Sequence, residues 1–224
     1  MNGSEVTAST LFREVKIFDG RSDQLSDPSD VLITGDTIAT IAPRVDSPAG
    51  DDQRTVIDGG GRVLMPGLID AHTHLWFEML SLHLVAAADS SYIDLLSGIA
   101  AQALLKQGFT TVRDAGGPVF GLKRAIDEEL IAGPRIFPSG AFISQTSGHG
   151  DYRSRYEVPR RACGHLSHQE LLGAGAIADG VSEVLRAVRE QLMLGASQIK
   201  MMAGGGVVST YDPIDVTENR KSVV

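Results

Sequence analysis

The sequence predicts an α/β protein in which a small β unit, residues 1–64, precedes an incomplete parallel sheet, residues 65–224. Three observations support this fold class. Short apolar runs separated by turns fill the first 64 residues, and beyond them strands alternate with amphipathic helices. Such alternation forms right-handed βαβ units around a parallel sheet. Only four strands are visible there, whereas a closed barrel of eight units needs about 250 residues, so the second unit looks like half of a domain.

The first unit is expected to be an antiparallel arrangement of about four short strands. Its apolar runs lie at residues 15–18, 31–34, 37–41 and 55–57. Gly35 and Asp36 separate the second run from the third, and such a pair is typical of a two-residue hairpin turn. Because four short strands bury little surface by themselves, the unit is expected to lean on another part of the protein.

The second unit is expected to contain four parallel strands with helices between them. The strands are predicted at residues 64–75, 109–112, 135–143 and 197–202. Apolar residues at helical spacing predict three helices, over residues 90–107, 122–132 and 181–194, the first with a serine cap at Ser90 and Ser91. Residues 144–178 form a connection that is too long for a plain loop.

Composition excludes several classes of partner. The 20 lysines and arginines against 28 aspartates and glutamates give a net charge of −8, which argues against nucleic acids and anionic membranes as partners. No apolar run approaches the roughly 20 residues of a membrane-spanning helix. The single cysteine, Cys163, excludes an internal disulfide and fits a reducing compartment. A cytoplasmic protein is therefore expected, and a homo-oligomer stays open.

The strongest local motif is the pair His72 and His74, which follows an apolar strand. Alternate side chains of a strand face the same way, so the two imidazoles share a face with Cα atoms roughly 6.6 Å apart. Two ring nitrogens can then bind one divalent cation, and zinc, iron and nickel all accept imidazole. The alternative is a hydrogen-bonded pair of core histidines. The position at the C-terminal end of the first strand of a βα series favours the metal.

Lys200 lies within the apolar run predicted as the fourth strand. Burial of a lysine is costly and lowers the pKa of its amine, which makes the neutral, nucleophilic form accessible. A neutral lysine can add CO₂ and become a carbamate, an anion able to bridge two cations. The alternative is a lysine that reaches solvent at the strand end or pairs with an acid. The two histidines at the same edge of the sheet favour the carbamate.

Several segments resemble one family. Residues 65–74 resemble the first-strand signature of the metal-dependent amidohydrolases, and residues 108–117 resemble their second strand. The segments 143–151, 178–181 and 199–207 are similar to imidazolonepropionase-like and Xaa-Pro dipeptidase-like members. The resemblance extends over about residues 11–217 and rests on several motifs in the family order.

The resemblance implies the N-terminal half of a (β/α)₈ TIM-type barrel beside a partial β-sandwich. It also implies a binuclear divalent metal site, with zinc as first candidate, held by His72, His74 and a carbamylated Lys200. His149 matches a family histidine that binds the substrate, often at its carboxylate; the alternative for His149 is a histidine of a surface loop. The implied chemistry is attack of a metal-activated water on a C–N bond of a small amino-acid-derived substrate.

The sequence lacks the second half of the family pattern. The pattern needs two further histidines from strands 5 and 6 and a general-base aspartate from strand 8, and none of these strands is present. We therefore expect a C–N hydrolase that is inactive as this 224-residue chain alone. The alternative is a non-catalytic remnant or interaction module. A deaminase is a further alternative, against which residues 147–151 argue.

Two smaller hypotheses concern residues outside that pattern. Cys163, His165 and His168 have a C-x-H-x₂-H spacing that is compatible with a second metal site. Arg113 and Asp114, at the end of the predicted second strand, are expected to pair with each other.

Overall fold

The structure is a computed structural model that describes residues 8–46, 54–207, 211–215 and 217. The chain has a mixed α/β fold and divides into two compact units, with the boundary between Pro66 and Gly67. Within the described ranges, none of the helices combines the length and the apolar character that crossing a membrane requires.

The described residues of the first unit form a five-stranded sheet. Its strands are β1 (Ser9–Ile17), β2 (Ser29–Thr34), β3 (Thr37–Ala42), β4 (Arg54–Asp58) and β5 (Val63–Leu64). The order is β3-β2-β1-β4, and β5 also pairs with β1. The antiparallel strands β2 and β3 are joined at Gly35, whose φ of +58° suits a two-residue turn, so the predicted hairpin is confirmed.

The pairing of β1 corrects the expectation of a wholly antiparallel unit. β1 is antiparallel to β2 but parallel to both β4 and β5. A parallel pairing depends on the path that the chain takes between two strands, and apolar periodicity along each strand carries no information about that path. Leu11, Val15 and Val31 are the buried apolar side chains of this sheet.

In its described residues, the second unit contains two parallel sheets and six helices. The strands are β6 (Leu68–Thr73), β7 (Phe109–Asp114), β8 (Arg135–Pro138), β9 (Phe142–Ser144) and β10 (Gly175–Ile177). The helices are α1 (Leu82–Ala87), α2 (Ser90–Lys106), α3 (Phe120–Asp127), α4 (Arg160–Cys163), α5 (His168–Leu171) and α6 (Val181–Leu194). Strands β6, β7 and β8 form a parallel sheet in that order, and β9 pairs in parallel with β10.

Helix α2 connects β6 to β7, and α3 connects β7 to β8, as the alternation in the sequence predicted. The main buried cluster of this unit draws on the strands, the helices and the turns that join them: Leu75, Trp76, Val85, Ile93, Ala100, Ala101, Val112, Val119, Ile136 and Ala174. A second cluster joins β9 to α6 through Ile143, Ala178, Val184 and Ala187. The carboxyl ends of β6 and β7 are therefore fixed by packing from the helical side of the sheet.

The third predicted strand, residues 135–143, divides into β8 and β9. Gly140 lies between them with a φ of +69°, a conformation that interrupts a strand and that favours glycine. The fourth predicted strand, residues 197–202, is joined to β9 by one bridge, between Ile143 and Met201. The Ile143 N–H donates to the Lys200 carbonyl at 2.9 Å, and the Met202 N–H donates to the Ile143 carbonyl at 2.9 Å. The segment that carries Lys200 is thus hydrogen-bonded to β9 without forming a regular strand.

The helix boundaries agree in part with those predicted from the sequence. Helix α6 ends at Gly195, whose φ is +102°, where the sequence predicted a stop. Helix α2 is capped by Asp89, which accepts from the Ser91 N–H, so the expected serine cap was wrong. The short helix α1 was not predicted.

Candidate metal and substrate site

His72 and His74 lie at the carboxyl end of β6. His72 belongs to the strand, and its N–H donates to the Asp70 carboxylate at 2.9 Å, while His74 begins the turn that follows. The carbonyl of His74 accepts from the Phe77 N–H at 2.9 Å, which fixes this turn. The two imidazole rings meet edge to face with their centroids 5.1 Å apart.

The structure brings Lys200 to the same place. Its Nζ lies 3.3 Å from Nε2 of His72, although 128 residues separate the two in the sequence. The backbone bonds between Lys200 and β9 hold this approach. His72, His74 and Lys200, the three predicted metal ligands, are therefore neighbours.

The electrostatics at His72 and Lys200 favour uncharged nitrogens. Burial, together with the nearby Arg113 guanidinium, lowers the pKa of the Lys200 amine. The positive charge of Lys200 lowers the pKa of His72, and burial and Arg113 act in the same direction. Nitrogen ligands must be deprotonated to bind a metal, so these shifts suit coordination.

His74 is the most perturbed imidazole of the site. Burial, with the charges of His72 and Lys200, lowers its pKa to about 4. Its Nδ1 is buried and has no hydrogen-bond partner. The backbone at Gly116 approaches this nitrogen so closely that a Cβ there would lie 3.3 Å from it. A buried, neutral ring nitrogen without a partner calls for an explanation, and a bound cation nearby is one that fits the donor set.

The site holds only part of a metal-ligand set. Among the residues that the structure describes, no three His, Cys, Asp or Glu side chains are grouped so that they could hold a metal ion. This finding also contradicts the second metal-site hypothesis. The Cys163 Sγ contacts the carbonyls of Val158 and His165, each at 3.8 Å, and forms no cluster with the histidines of its motif. Cys163 lies on α4, His168 lies on α5 and His165 lies in the loop between them. The three side chains therefore do not converge.

Asp114 is a site residue whose role the sequence did not reveal. It is fully buried at the end of β7 and accepts from the Leu75 N–H at 2.8 Å and from the Gly116 N–H at 3.1 Å. Burial raises its pKa to about 7, although these two bonds act in the opposite direction. Asp114 thereby ties the residue after His74 to the turn after β7. A signal was present, since an acid ends an apolar strand just before two glycines.

The expected pair of Arg113 and Asp114 does not form. The two residues are neighbours on a strand, so their side chains point to opposite faces of the sheet. Arg113 Nε donates to the carbonyl of Ala71 on β6 at 2.6 Å, and its guanidinium faces the side on which Lys200 and His72 lie.

His149, the predicted substrate-binding residue, lies in the connection that follows β9. Its Nδ1 is 3.2 Å from Oδ2 of Asp212, and the Gly206 N–H donates to the same oxygen at 2.9 Å. The imidazole is about one quarter exposed, whereas the carboxylate is buried. Asp212 and Gly206 are contacts that the sequence analysis did not single out.

Comparison with known proteins identifies the family of the chain. Residues 63–223 match the amidohydrolase family. The ochratoxinase of Aspergillus niger is 35% identical over 205 residues, an alignment that covers 81% of this chain and 39% of that protein. A prolidase solved in complex with N-methylphosphonate-L-proline is 36% identical with a TM-score of 0.84, covering 96% of this chain and 51% of that chain.

A Xaa-Pro dipeptidase solved with methionine bound in its active site is 29% identical, with a TM-score of 0.75, and covers 96% of this chain and 52% of that chain. The chain thus spans about half the length of the solved relatives and 39% of the ochratoxinase. These matches confirm the resemblance predicted from residues 65–74 and the segments that follow. On the family match and the arrangement of the site, the chain belongs to the amidohydrolase family.

Proposed function

We propose that this chain forms the first half of a metal-dependent amidohydrolase that hydrolyses a C–N bond of a small amino-acid-derived substrate, and that it is inactive alone. The observation that carries the proposal is the distance of 3.3 Å between Lys200 Nζ and His72 Nε2, with the His74 ring beside them. Three groups of the kind that bind divalent metals converge there from two distant parts of the sequence. The family match supports C–N hydrolysis as the reaction class.

His72, His74 and Lys200 would hold the metal, and zinc is the first candidate. When bound, a divalent metal supplies Lewis acidity that polarises a carbonyl and activates water. The lowered pKa values of all three groups favour the neutral donors that a metal requires. The neutral Lys200 amine attacks CO₂, forms an N–C bond, loses one proton and becomes a carbamate with one negative charge. That anion adds oxygen donors, which two imidazoles and an amine lack.

The substrate class follows from His149 and from the ligands of two relatives. One prolidase relative was solved with a phosphonate derivative of L-proline and one Xaa-Pro dipeptidase with methionine, and both parent amino acids carry a carboxylate. The His149 imidazole is about one quarter exposed, and a histidine ring can hydrogen-bond to such a carboxylate. For this chain we infer a dipeptide or N-acyl amino acid whose free carboxylate contacts His149.

The partial barrel belongs to the same proposal. Strands β6, β7 and β8 form a parallel series with helices on one side, which is how a (β/α)₈ barrel begins. Large apolar side chains of these strands stay exposed, with Ile69 at 68% and Phe137 at 42%. The remaining strands and helices of a barrel would cover such side chains, and the strands would bring the further histidines and the aspartate of the family pattern.

The second candidate is a non-catalytic chain that keeps the fold. The observation in its favour is the incomplete donor set, since the described residues include no cluster of three His, Cys, Asp or Glu side chains. This candidate predicts a folded chain that binds metal weakly and that does not become active when the missing strands are supplied.

Hydrolysis assays separate the two candidates. The 224-residue chain and a longer chain that continues through the other family strands would each be loaded with Zn²⁺ and given glycyl-L-proline and N-acetyl-L-methionine. We expect activity only from the longer chain, and we expect His72→Ala in that chain to abolish the activity. His165→Ala, an exposed histidine outside the site, is the matched control and should retain activity. Full activity of the His72→Ala variant would contradict the proposal, and an inactive longer chain would favour the non-catalytic candidate.

A further inference from the structure

We propose that Gln198 is a positioning residue that sets the approach of Lys200 to His72. Its side-chain amide ties the segment that carries Lys200 to β7 and to β8. The inference deepens the proposed function and rests on it for the reason why this approach matters, which is metal binding.

The side-chain amide of Gln198 reaches two backbone carbonyls of the parallel sheet. Its Nε2 donates to the Phe137 carbonyl on β8 at 2.8 Å and to the Asp114 carbonyl on β7 at 3.1 Å. Carbonyl oxygens only accept hydrogen bonds, so the amide nitrogen and not the amide oxygen must face them. An amide nitrogen carries two N–H groups, and these match the two acceptors.

The backbone bonds of the same segment join it to the nearer strands. The Ser197 N–H donates to the Pro138 carbonyl at the end of β8 at 2.8 Å, and the Ile143 N–H of β9 donates to the Lys200 carbonyl at 2.9 Å. The Gln198 amide reaches one strand further, to β7. Because the segment has a bridge to β9 in place of a full ladder, a side-chain anchor supplies a larger share of what holds it.

Asp114 links this anchor to the histidine side of the site. Its carboxylate accepts from the Leu75 N–H at 2.8 Å, and Leu75 directly follows His74. The same residue thus holds the turn after His74 through its side chain and the Lys200 segment through its backbone carbonyl. Asp114 is fully buried, so it is a fixed reference for both. Hydrogen bonds to one buried residue therefore connect the two sides of the site.

Ile199 holds the same segment by apolar packing. Its side chain packs against the buried cluster that joins β9 to α6. Two adjacent residues, Gln198 and Ile199, are therefore anchored in different ways just before Lys200. The Lys200 Nζ then lies 3.3 Å from Nε2 of His72. Groups that orient metal ligands affect metal affinity although they do not touch the metal.

Nuclear Overhauser contacts in the metal-free 224-residue chain test the positioning directly. In the wild-type chain we expect a contact between the His72 ring protons and the methylene next to the Lys200 amine, because the two nitrogens lie 3.3 Å apart. Gln198→Met keeps the length of the side chain but has no N–H, so we expect this contact to be lost. Gln107→Met is the matched control, since it changes an exposed glutamine at the end of α2, and it should keep the contact.

The contact separates positioning from a role in stability alone. A glutamine that only stabilises the fold would lower the free energy of unfolding when replaced, and the contact between His72 and Lys200 would persist in the folded chains. Persistence of the contact in Gln198→Met would therefore overturn the proposal, and so would its absence from the wild-type chain. If Gln198→Met does not fold, Gln198→Asn gives the same test. Its amide is one methylene too short to reach both carbonyls, so the contact should be lost there too.

Zinc titration then tests the proposed function separately. We expect Zn²⁺ to bind Gln198→Met about tenfold more weakly than wild type and to bind Gln107→Met equally well. If the contact is lost in Gln198→Met while Zn²⁺ binds equally to wild type and Lys200→Ala, the positioning stands and the metal role of Lys200 fails. If Zn²⁺ affinity depends on Lys200 but the contact persists in Gln198→Met, the metal role stands and the positioning fails.

Discussion

The opposite pKa shifts of Asp114 and His74 give the sharpest prediction about stability. The two residues flank the same turns at the carboxyl ends of β6 and β7, and each is perturbed mainly by burial. Burial of an acid favours its protonated form, whereas burial of an imidazole favours its deprotonated form. The two groups should therefore give the free energy of unfolding opposite dependences on pH.

The sign and size follow from proton linkage. The pKa of Asp114 rises from 3.8 to about 7, so between these values the folded chain holds a proton that the unfolded chain releases, and the free energy of unfolding falls as pH rises. A rise of about three pH units corresponds to about 4 kcal/mol. The pKa of His74 falls from 6.5 to about 4, so its contribution is fully present above pH 6.5 and is lost as pH falls toward 4. For a fully buried ring, this fall of the pKa would correspond to about 3 kcal/mol of unfolding free energy. We expect about half of that for His74, because solvent partly reaches the ring.

Urea unfolding of the metal-free chain between pH 4 and pH 7.5 would measure both effects as differences from wild type. The stability of wild type minus that of Asp114→Asn should fall by up to about 4 kcal/mol from pH 4 to pH 7. The stability of wild type minus that of His74→Gln should rise by about 1 to 2 kcal/mol over pH 4 to 6.5. Difference curves that are flat, or that slope in the same direction, would refute the assignment of these shifts to burial.

Three further substitutions test the fold, each by the free energy of unfolding in urea at neutral pH. Gly140→Ala should cost about 2 to 3 kcal/mol, because φ is +69° and the new Cβ would lie 2.2 Å from Oε1 of Gln191; a change below about 0.5 kcal/mol would contradict this. Asp89→Ala should cost about 1 kcal/mol because it removes the acceptor of the Ser91 N–H at the start of α2, and Asp89→Ser should restore most of it. Ile93→Ala should cost about 3 kcal/mol because the side chain is fully buried, and a neutral effect would mean that α2 does not pack as described.

Local signals in the sequence predicted the local structure well. The Gly35-Asp36 pair gave the β2–β3 hairpin, and Gly195 marked the end of α6. Apolar periodicity identified α2, α3 and α6 because each packs apolar side chains in or against a buried cluster. These features depend on neighbouring residues alone.

Features that depend on distant contacts were missed. The parallel pairing of β1 with β4 and β5 is a property of the chain path. The division of β8 from β9 was missed for a local reason, because a glycine within an apolar run does not by itself reveal a positive φ. The segment of Lys200 read as a strand because it is apolar, yet it makes only one bridge to β9. Periodicity measures burial, and burial alone does not distinguish a full ladder from a single bridge.

The sequence predicted the donor residues of the candidate site but not the residues that hold the site in place. His72 and His74 were found from their spacing, and Lys200 from its charge in an apolar run. The acid before two glycines was visible in the sequence, but the role of Asp114, which ties the turn after His74 to β7, becomes evident only once β6 and β7 are neighbours. The contact of Asp212 with His149 is of the same kind, since 63 residues separate them and no local pattern joins them.

Metal binding by the 224-residue chain shows whether His72 and Lys200 contribute to one metal site. Isothermal titration with Zn²⁺ in bicarbonate buffer would compare the wild-type chain with His72→Ala, with Lys200→Ala and with the control His165→Ala. We expect saturable binding that is weakened at least about tenfold by each of the first two substitutions and is unchanged by the third. Equal affinity of wild type and His72→Ala would contradict it.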